Sequence, residues 1–112
     1  MIDYKNLPDC PVQTCLNLIS DKWKILILRD LMTGTKRFSQ LKKSLSPVTQ
    51  KMLTQQLREM EQDGIVHREV YACVPPKVEY SLTELGESLT PVIDAMRNWG
   101  MKFKEMASKN CA

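Results

Sequence analysis

The sequence is poor in the residues that build metal sites and membrane spans. It has one histidine and four cysteines among 112 residues, and no two cysteines are spaced as C-x-x-C, which argues against a zinc site. Its longest apolar run, residues 25–28, is far short of the roughly 20 residues that cross a bilayer. The N-terminus has an acid at Asp3 and no apolar run of signal-peptide length. We therefore expect a cytoplasmic protein that holds no metal and spans no membrane.

Catalytic groups are equally scarce. The single histidine, His67, lies in a strand-like segment beside Arg68, and no acid, base or nucleophile is arranged around it. A histidine that is satisfied within the fold or exposed on a strand explains this position better than a general base does. The sequence thus predicts a protein that is not an enzyme and needs no cofactor.

What the sequence does have is an ordinary globular composition with an uneven distribution of charge. The hydrophobic fraction of 43% and the charged fraction of 26% suit a single domain over residues 1–112. The net charge is only +3, yet residues 22–58 contain nine basic side chains and one acid, Asp30. Such a run is either a solvated basic face or a surface that binds phosphate groups.

Residues 38–64 have the pattern of a helix-turn-helix: a short helix, a turn and a longer helix. Pro47 places the turn, because the residue before a proline avoids helical angles. In the second helix Leu53, Leu57 and Met60 recur at steps of four and three, so one stripe is apolar and faces a core. This motif coincides with the basic run, which favours phosphate contact over a solvated face.

The polar face of this second helix has the chemistry of a surface that contacts DNA. Its arginine, lysine, glutamine and threonine side chains hydrogen-bond to bases and phosphates, and its carboxylates are confined to the C-terminal half. That polarity suits a recognition helix whose N-terminal residues enter a major groove. The predicted DNA-binding residues are Arg37, Lys42, Lys43, Thr49 (also the expected N-cap), Gln50, Lys51, Thr54, Gln55 and Arg58, with Arg68 and Lys77 from the segment that follows.

Residues 65–82 predict a small two-stranded β wing. The first half has the β-branched and aromatic content of a strand, and the second half alternates apolar with polar residues. Two consecutive prolines stiffen the loop between them. In such a wing Arg68 and Lys77 either approach the backbone of a DNA duplex or are charges on the edge of the sheet.

Residues 83–107 predict a C-terminal dimerisation helix. We expect it to be capped by Thr83 and to be kinked or broken near Thr90, because Pro91 lies inside the pattern. Its apolar residues recur at steps of four and three, the spacing of a heptad seam. The seam packs either on its own subunit or on a second one, and its regularity favours a second subunit. The predicted dimer-interface residues are Val92, Met96, Trp99, Phe103 and Met106.

Two further helices precede the helix-turn-helix. Residues 22–32 are apolar around most of their circumference and predict the central core helix, with Asp21 as its N-cap. A shorter helix begins at Pro11, with Asp9 or Cys10 as its N-cap. The predicted inner face of that helix consists of Val12, Cys15, Leu16 and Ile19. The fold class is therefore a mostly α winged helix-turn-helix that dimerises through its terminal helices.

With these elements in this order, the sequence resembles the HxlR-type winged helix-turn-helix regulators, relatives of the MarR group, over nearly its whole length. The residues that carry the resemblance are Cys10-Pro11-Val12, Asp21-Lys22-Trp23, Arg37-Phe38 with Leu41, KMLTQQLRE at 51–59, Asp63-Gly64, PPKVEYSLTELG at 75–86, and Trp99-Gly100. Each is weak alone, and their shared order and spacing are specific.

The resemblance implies a bacterial homodimer that regulates transcription by binding a palindromic operator in double-stranded DNA. It also implies a recognition helix in the major groove and a wing on the flanking minor groove. The sequence departs from the family in two places. Asp21 stands where glycine is common before Lys-Trp, which bears on the cap of the core helix. Val48 stands where glycine usually follows the turn proline, which bears on the setting of the recognition helix.

Cys10 is the candidate redox-sensing residue. At a helix N-terminus the macrodipole favours a thiolate, and the neighbouring Asp9 opposes one. The resemblance implies that some family members sense oxidants or electrophiles at this Cys-Pro position. The alternative is a small capping or packing residue. Cys15 and Cys111 are both candidate resolving thiols, and the sequence does not choose between them.

Two other functions fit the same sequence. A winged helix can bind an acidic protein partner through its basic surface. Alternatively, Trp23, Trp99 and nearby methionines line a pocket for a small-molecule effector, although such residues at helical spacing more often belong to a core.

Overall fold

The protein is described by a computed structural model over residues 2–110. Within that range the elements are α1 (Pro11–Leu18), α2 (Lys22–Leu31), β1 (Lys36–Arg37), α3 (Phe38–Ser44), α4 (Gln50–Gln62), β2 (Val66–Tyr71), β3 (Lys77–Leu82), α5 (Glu84–Glu87) and α6 (Thr90–Asn110). Helices α3 and α4 form the helix-turn-helix, and β2 and β3 form the wing. The predicted mostly α winged helix-turn-helix fold is confirmed.

The sheet has three strands, so the prediction of a two-stranded wing was incomplete. β3 is central: it pairs antiparallel with β2 from Val66 opposite Leu82 onward, and with β1 at Lys36 opposite Tyr80. A strand of two residues is too short to show period-two alternation, so the sequence pattern gave no sign of β1. Its effect is to join the start of α3 to the wing.

Helix α2 occupies the centre of the core, as predicted. It buries Ile27, Leu28 and Leu31. At its start the Asp21 carboxylate Oδ1 accepts a hydrogen bond of 2.7 Å from the backbone N–H of Trp23. Asp21 therefore satisfies a helix N–H that glycine would leave to solvent, and this departure from the family pattern stabilises the start of the helix.

Helix α4 packs on α2 through its apolar stripe. The stripe residues Leu53, Leu57 and Met60 are each at most 2% exposed, as the spacing predicted. Gln56 is also buried, at 5% exposure, which the spacing did not predict. The second departure, Val48, is buried too, so it fills core volume immediately before the helix.

Two glycines fix the way the chain leaves α4. Gly64 has a φ of +77°, a left-handed conformation that few other residues adopt, directly after the helix. A Cβ atom at Gly86 would collide with the carbonyl oxygen of Ile65, so α5 packs directly on the residue before β2. Together they set the position of the wing relative to α4.

The predicted inner face of α1 was wrong in part. Val12 and Leu16 are 68% and 55% exposed, Cys15 is half-buried, and only Ile19, just past the helix, is buried. The spacing identified the apolar stripe correctly, but periodicity gives no information about which surface covers a stripe. In this protomer the stripe faces outward.

The C-terminal segment is divided into two helices. Helix α5 ends at Glu87 and α6 begins at Thr90, directly before Pro91, which is where the sequence placed a kink or break. Helix α6 has 21 residues, a length of roughly 31 Å. Among residues 90–109, Ile93 alone is fully buried. The long helix therefore stands largely clear of its own core.

Candidate nucleic-acid interface

The polar residues predicted to read DNA lie together on the open surface of α4. We call Gln50, Lys51, Thr54, Gln55 and Arg58 the recognition strip, since they line one shallow concave surface along the helix. Thr54 is half-buried and the other four side chains are exposed. Glu59 and Gln62 border the strip at its C-terminal end, so negative charge is kept away from the N-terminal half.

The N-terminus of α4 is built for an anionic partner. The Thr49 side chain caps the helix by accepting a hydrogen bond of 3.1 Å from the backbone N–H of Met52. No acidic residue lies in the first turn. The positive end of the helix dipole thus lies at the same end as Lys51, and both favour a phosphate group there.

Further cations flank the strip on β1 and α3. Arg37 and Lys43 are exposed and Lys42 is half-buried. The Gln40 side-chain oxygen accepts a hydrogen bond of 2.8 Å from the backbone N–H of Arg37, which fixes the start of α3. Between residues 2 and 110, no carboxylate lies within 4.0 Å of these three side chains, of Lys51 or of Arg58. Their charges are therefore available to a partner.

Two of the nine basic residues in the charged run serve the fold instead. Arg29 donates two hydrogen bonds, of 3.1 and 3.0 Å, to the carboxylate of Asp30. Lys24 is only 7% exposed, and its Nζ donates to Glu59 Oε1 at 3.0 Å, which ties α2 to α4. Counting charges along the sequence overstates the basic surface because it does not register these partners.

The Lys24 ion pair predicts an acid-sensitive component of stability. The hydrogen bond from Lys24 lowers the pKa of Glu59 below its ordinary value of 4.5. The pair therefore stabilises the fold above that ordinary pKa, and this contribution is lost as the pH falls through the lowered value. Because the Glu59 side chain is 40% exposed, solvent screens the pair, and we expect Glu59→Gln to cost only about 1 kcal/mol at pH 7.

Denaturant unfolding at several pH values tests this expectation. The stability difference between wild type and Glu59→Gln should shrink as the pH is lowered below about 4.5. Glu87→Gln, at an exposed position on α5, is the matched control and should show little difference at any pH. A Glu59→Gln deficit that stayed constant down to pH 3 would assign the loss to packing rather than to charge.

The predicted cations of the wing are paired with carboxylates of their own protomer. Arg68 Nε lies 3.4 Å from Glu61 of α4. Lys77 Nζ lies 3.6 Å from Glu79 and 4.7 Å from the centre of the Tyr71 ring. The wing thus presents its two cations partly neutralised, unlike the recognition strip.

The aromatic residues of the wing remain uncharged at neutral pH. Hydrogen bonding to Glu79 raises the pKa of Tyr71, and burial raises the pKa of Tyr80.

The single histidine, His67, is exposed on β2 with its Nε2 atom 2.7 Å from Glu69. No group of three or more potential metal ligands gathers anywhere in residues 2–110, and no helix there is long and apolar enough to cross a membrane.

A large apolar surface lies on α1 and α6, and it shares no residue with the recognition strip. We call it the α1/α6 face: α1 and the first half of α6 form adjoining grooves lined by Val12, Leu16, Val92, Met96 and Trp99, among others. Further along α6, Phe103 and Met106 are 53% and 54% exposed. The Trp99 and Phe103 rings stack with their centres 5.4 Å apart. Of the predicted dimer-interface residues, only Val92 is half-buried on its own core.

The two tryptophans have different surroundings. Trp23 is half-buried against the core, whereas Trp99 is 65% exposed on the α1/α6 face. The effector pocket predicted around them would therefore need a second subunit to enclose Trp99.

The cysteines occupy three environments. Cys10 is exposed and forms the N-cap of α1 without a side-chain hydrogen bond. Cys15 is half-buried and lines the α1/α6 face. Cys73 is exposed in the wing loop, where its Sγ donates to the Pro75 carbonyl oxygen at 3.2 Å. The fourth cysteine, Cys111, one of the two candidate resolving thiols, lies outside the described residues.

Comparison with known proteins agrees with this geometry. The sequence matches the HxlR-like helix-turn-helix family over residues 18–108. It is 53% identical over 110 residues to an uncharacterised HTH-type transcriptional regulator, YdeP, of Bacillus subtilis strain 168, and the match covers 96% of this chain and 86% of YdeP.

Two solved structures, one of a redox regulator and one of a transcriptional regulator, have the same fold. The redox regulator HypR in its reduced form superposes with a TM-score of 0.83 at 47% identity, covering 89% of this chain and 99% of HypR. The reduced form of the transcriptional regulator YodB from B. subtilis has a TM-score of 0.73 at 38% identity, covering 86% and 95%. The family and these relatives consist of transcription regulators rather than enzymes. The protein is a transcription regulator that belongs to the HxlR-like helix-turn-helix family.

Proposed function

We propose that the protein acts as a homodimer that binds a palindromic operator in double-stranded DNA. The observation that carries this proposal is the recognition strip on α4, whose cations have no carboxylate partner within residues 2–110. Lys51, Thr54, Gln55 and Arg58 contact the major groove, and the first turn of α4 together with Arg37, Lys42 and Lys43 holds phosphates. The partly neutralised Arg68 and Lys77 contribute less.

The α1/α6 face supports a second copy as the dimer partner. Trp99, Phe103 and Met106 are more than half exposed along a helix that stands clear of the core, and contiguous apolar surface of this kind marks an interaction site. A twofold arrangement lets the same face serve both subunits. It also presents two recognition strips, which is what a palindromic site requires.

In vitro selection of duplexes from a random pool tests the proposal without knowledge of the target. With reduced protein we expect enrichment of an inverted repeat whose half-sites lie about one helical turn, roughly 34 Å, apart. Enrichment of single half-sites would contradict the dimer. Failure of the folded protein to enrich any sequence would instead favour a winged helix that binds an acidic protein partner.

We further propose that Cys10 makes DNA binding sensitive to oxidants. Cys10 is exposed at the start of α1, and one structural relative, HypR, is named a redox regulator and has been solved in reduced and oxidised forms. With a peroxide, the Cys10 thiolate would attack one oxygen, so that an S–O bond forms, the O–O bond breaks and hydroxide leaves. A second thiol would then condense with the sulfenic acid and release water.

Replacing Cys10 by serine is expected to remove this response. Wild-type protein treated with peroxide should lose or gain operator affinity, whereas treated Cys10→Ser protein should bind as the reduced form does, because serine forms no sulfenic acid. Cys73→Ser, which removes another exposed thiol, should keep the response. Fluorescence anisotropy on a labelled operator measures both. Identical binding by oxidised and reduced wild type would exclude the sensor.

A further inference from the structure

A cavity of about 490 Å³ lies between the N-terminal arm (residues 2–8), α1, the start of α2 and the C-terminal end of α4. Its volume falls in the range of small-molecule sites. The lining combines apolar side chains, among them Leu7, Leu18 and Leu85, with polar ones, among them Asn17, Lys24 and Glu59. The cavity is separate from the α1/α6 face.

Lys24 is the unusual group in this cavity. Its side chain is more than nine-tenths buried, and an ammonium group has three N–H donors. Within residues 2–110 its Nζ makes one hydrogen bond, to Glu59 Oε1. Two N–H donors of this buried charged group thus have no acceptor among residues 2–110, an unfavourable arrangement unless another molecule accepts from them.

We propose that this cavity binds a small uncharged molecule with a primary carboxamide on an apolar body. The carboxamide oxygen accepts a hydrogen bond from Lys24 and its NH₂ group donates to Glu59, so the ion pair stays intact. The apolar body packs against the leucines of the lining.

The charges of the lining select against other ligands. An anion that accepts from Lys24 would lie beside the Glu59 carboxylate, and two further carboxylates, Asp3 and Asp63, line the same cavity and repel it. A cationic amine offers no acceptor to Lys24 and is repelled by its ammonium group. Because Glu59 belongs to α4, the bound molecule contacts the helix that carries the recognition strip. The site itself does not depend on DNA binding.

Three probes that differ in one group test the proposal on the full chain without DNA. Phenylacetamide, phenylacetate and phenethylamine are titrated into isotope-labelled protein while backbone amide chemical shifts are followed. We expect phenylacetamide to give saturable shifts around Asn17 and Glu59 with a dissociation constant on the order of 1 mM, a reasonable value for ten heavy atoms. The acid and the amine should bind at least roughly tenfold more weakly.

Matched variants locate the site. Lys24→Met keeps the buried chain and removes the donors, and should weaken phenylacetamide about tenfold. Its control is Lys22→Met, an exposed position whose Nζ lies over the Trp23 ring at 4.9 Å. Asn17→Trp, on the exposed surface of α1, should block the cavity, whereas Gln13→Trp, one turn earlier and outside the lining, should not.

Three results would overturn the proposal. The first is the absence of saturable shifts with phenylacetamide up to about 10 mM, ten times the expected dissociation constant. The second is binding of phenylacetate as tight as that of the amide. The third is unchanged amide binding in both Lys24→Met and Asn17→Trp. Since no DNA is present, these outcomes are independent of whether the operator proposal holds.

Discussion

Trp99→Arg protein is expected to be monomeric at micromolar concentration. Trp99 is 65% exposed in the protomer and stacks on Phe103, so the proposed dimer would bury both rings in the contact. Burying an unpaired guanidinium in such a surface costs roughly 3 kcal/mol. In a twofold interface each substitution is present in both subunits, so the cost in free energy is doubled. The dimer dissociation constant should therefore rise by roughly four orders of magnitude.

Sedimentation equilibrium on wild type and variant measures this directly. Met96→Arg, closer to the α1 groove, should have a similar effect. Ser108→Arg is the matched control, because at about 100° per residue it lies on the opposite side of α6 from Trp99 and is exposed. It should remain dimeric. If both Trp99→Arg and Met96→Arg stayed dimeric, the interface would lie elsewhere and the α1/α6 face would need another partner.

The expected effect of Trp99→Arg depends on the α1/α6 face, which the sequence identified only in part. The heptad spacing of α6 was evident from the sequence alone, because its apolar residues recur at steps close to the 3.6 residues of one helical turn. The same reasoning assigned Val12 and Leu16 of α1 to the inside, where the structure has them exposed. The period of the apolar residues specifies which side of a helix is apolar, but it does not specify what that side packs against. The error is informative, since it adds an apolar strip beside α6 that the protomer leaves uncovered.

The candidate DNA site was more predictable than its electrostatics. Helix α4, its Thr49 cap and its buried stripe all follow from local chemistry and spacing, and the structure has them as predicted. The ion pairs are different because they join residues far apart in sequence. Lys24 meets Glu59 from 35 positions away, and Arg68 meets Glu61 across the turn into the wing. No periodicity of one segment encodes such a pairing.

Because of these ion pairs, we expect substitutions of cations in the recognition helix to weaken DNA binding much more than substitutions of cations in the wing. Lys51→Ala and Arg58→Ala each remove an exposed cation with no carboxylate partner within residues 2–110. If the lost contact is to phosphate, each dimer loses two, and the slope of log K against log salt should fall by about 2. At physiological salt we expect roughly tenfold to hundredfold weaker binding for each variant.

Arg68→Ala and Lys77→Ala provide the matched comparison, because each removes a cation that already has a carboxylate partner. Glu61 and Glu79 reduce the charge that these side chains offer to DNA, so we expect a loss of less than about threefold. Anisotropy titrations on the selected operator at several salt concentrations measure all four variants. A loss confined to one base position would make Lys51 or Arg58 a base reader rather than a phosphate contact.

Either result for the wing variants, Arg68→Ala and Lys77→Ala, shows what happens to their ion pairs when the duplex binds. If the wing variants lose as much affinity as those of the helix, Arg68 and Lys77 must leave their carboxylates when the duplex binds. Glu61→Gln should then strengthen binding, because it releases Arg68 in advance. If the wing variants bind nearly as wild type, Glu61→Gln should leave affinity unchanged. The wing then helps to set the position of α4, to which Arg68 ties it through Glu61.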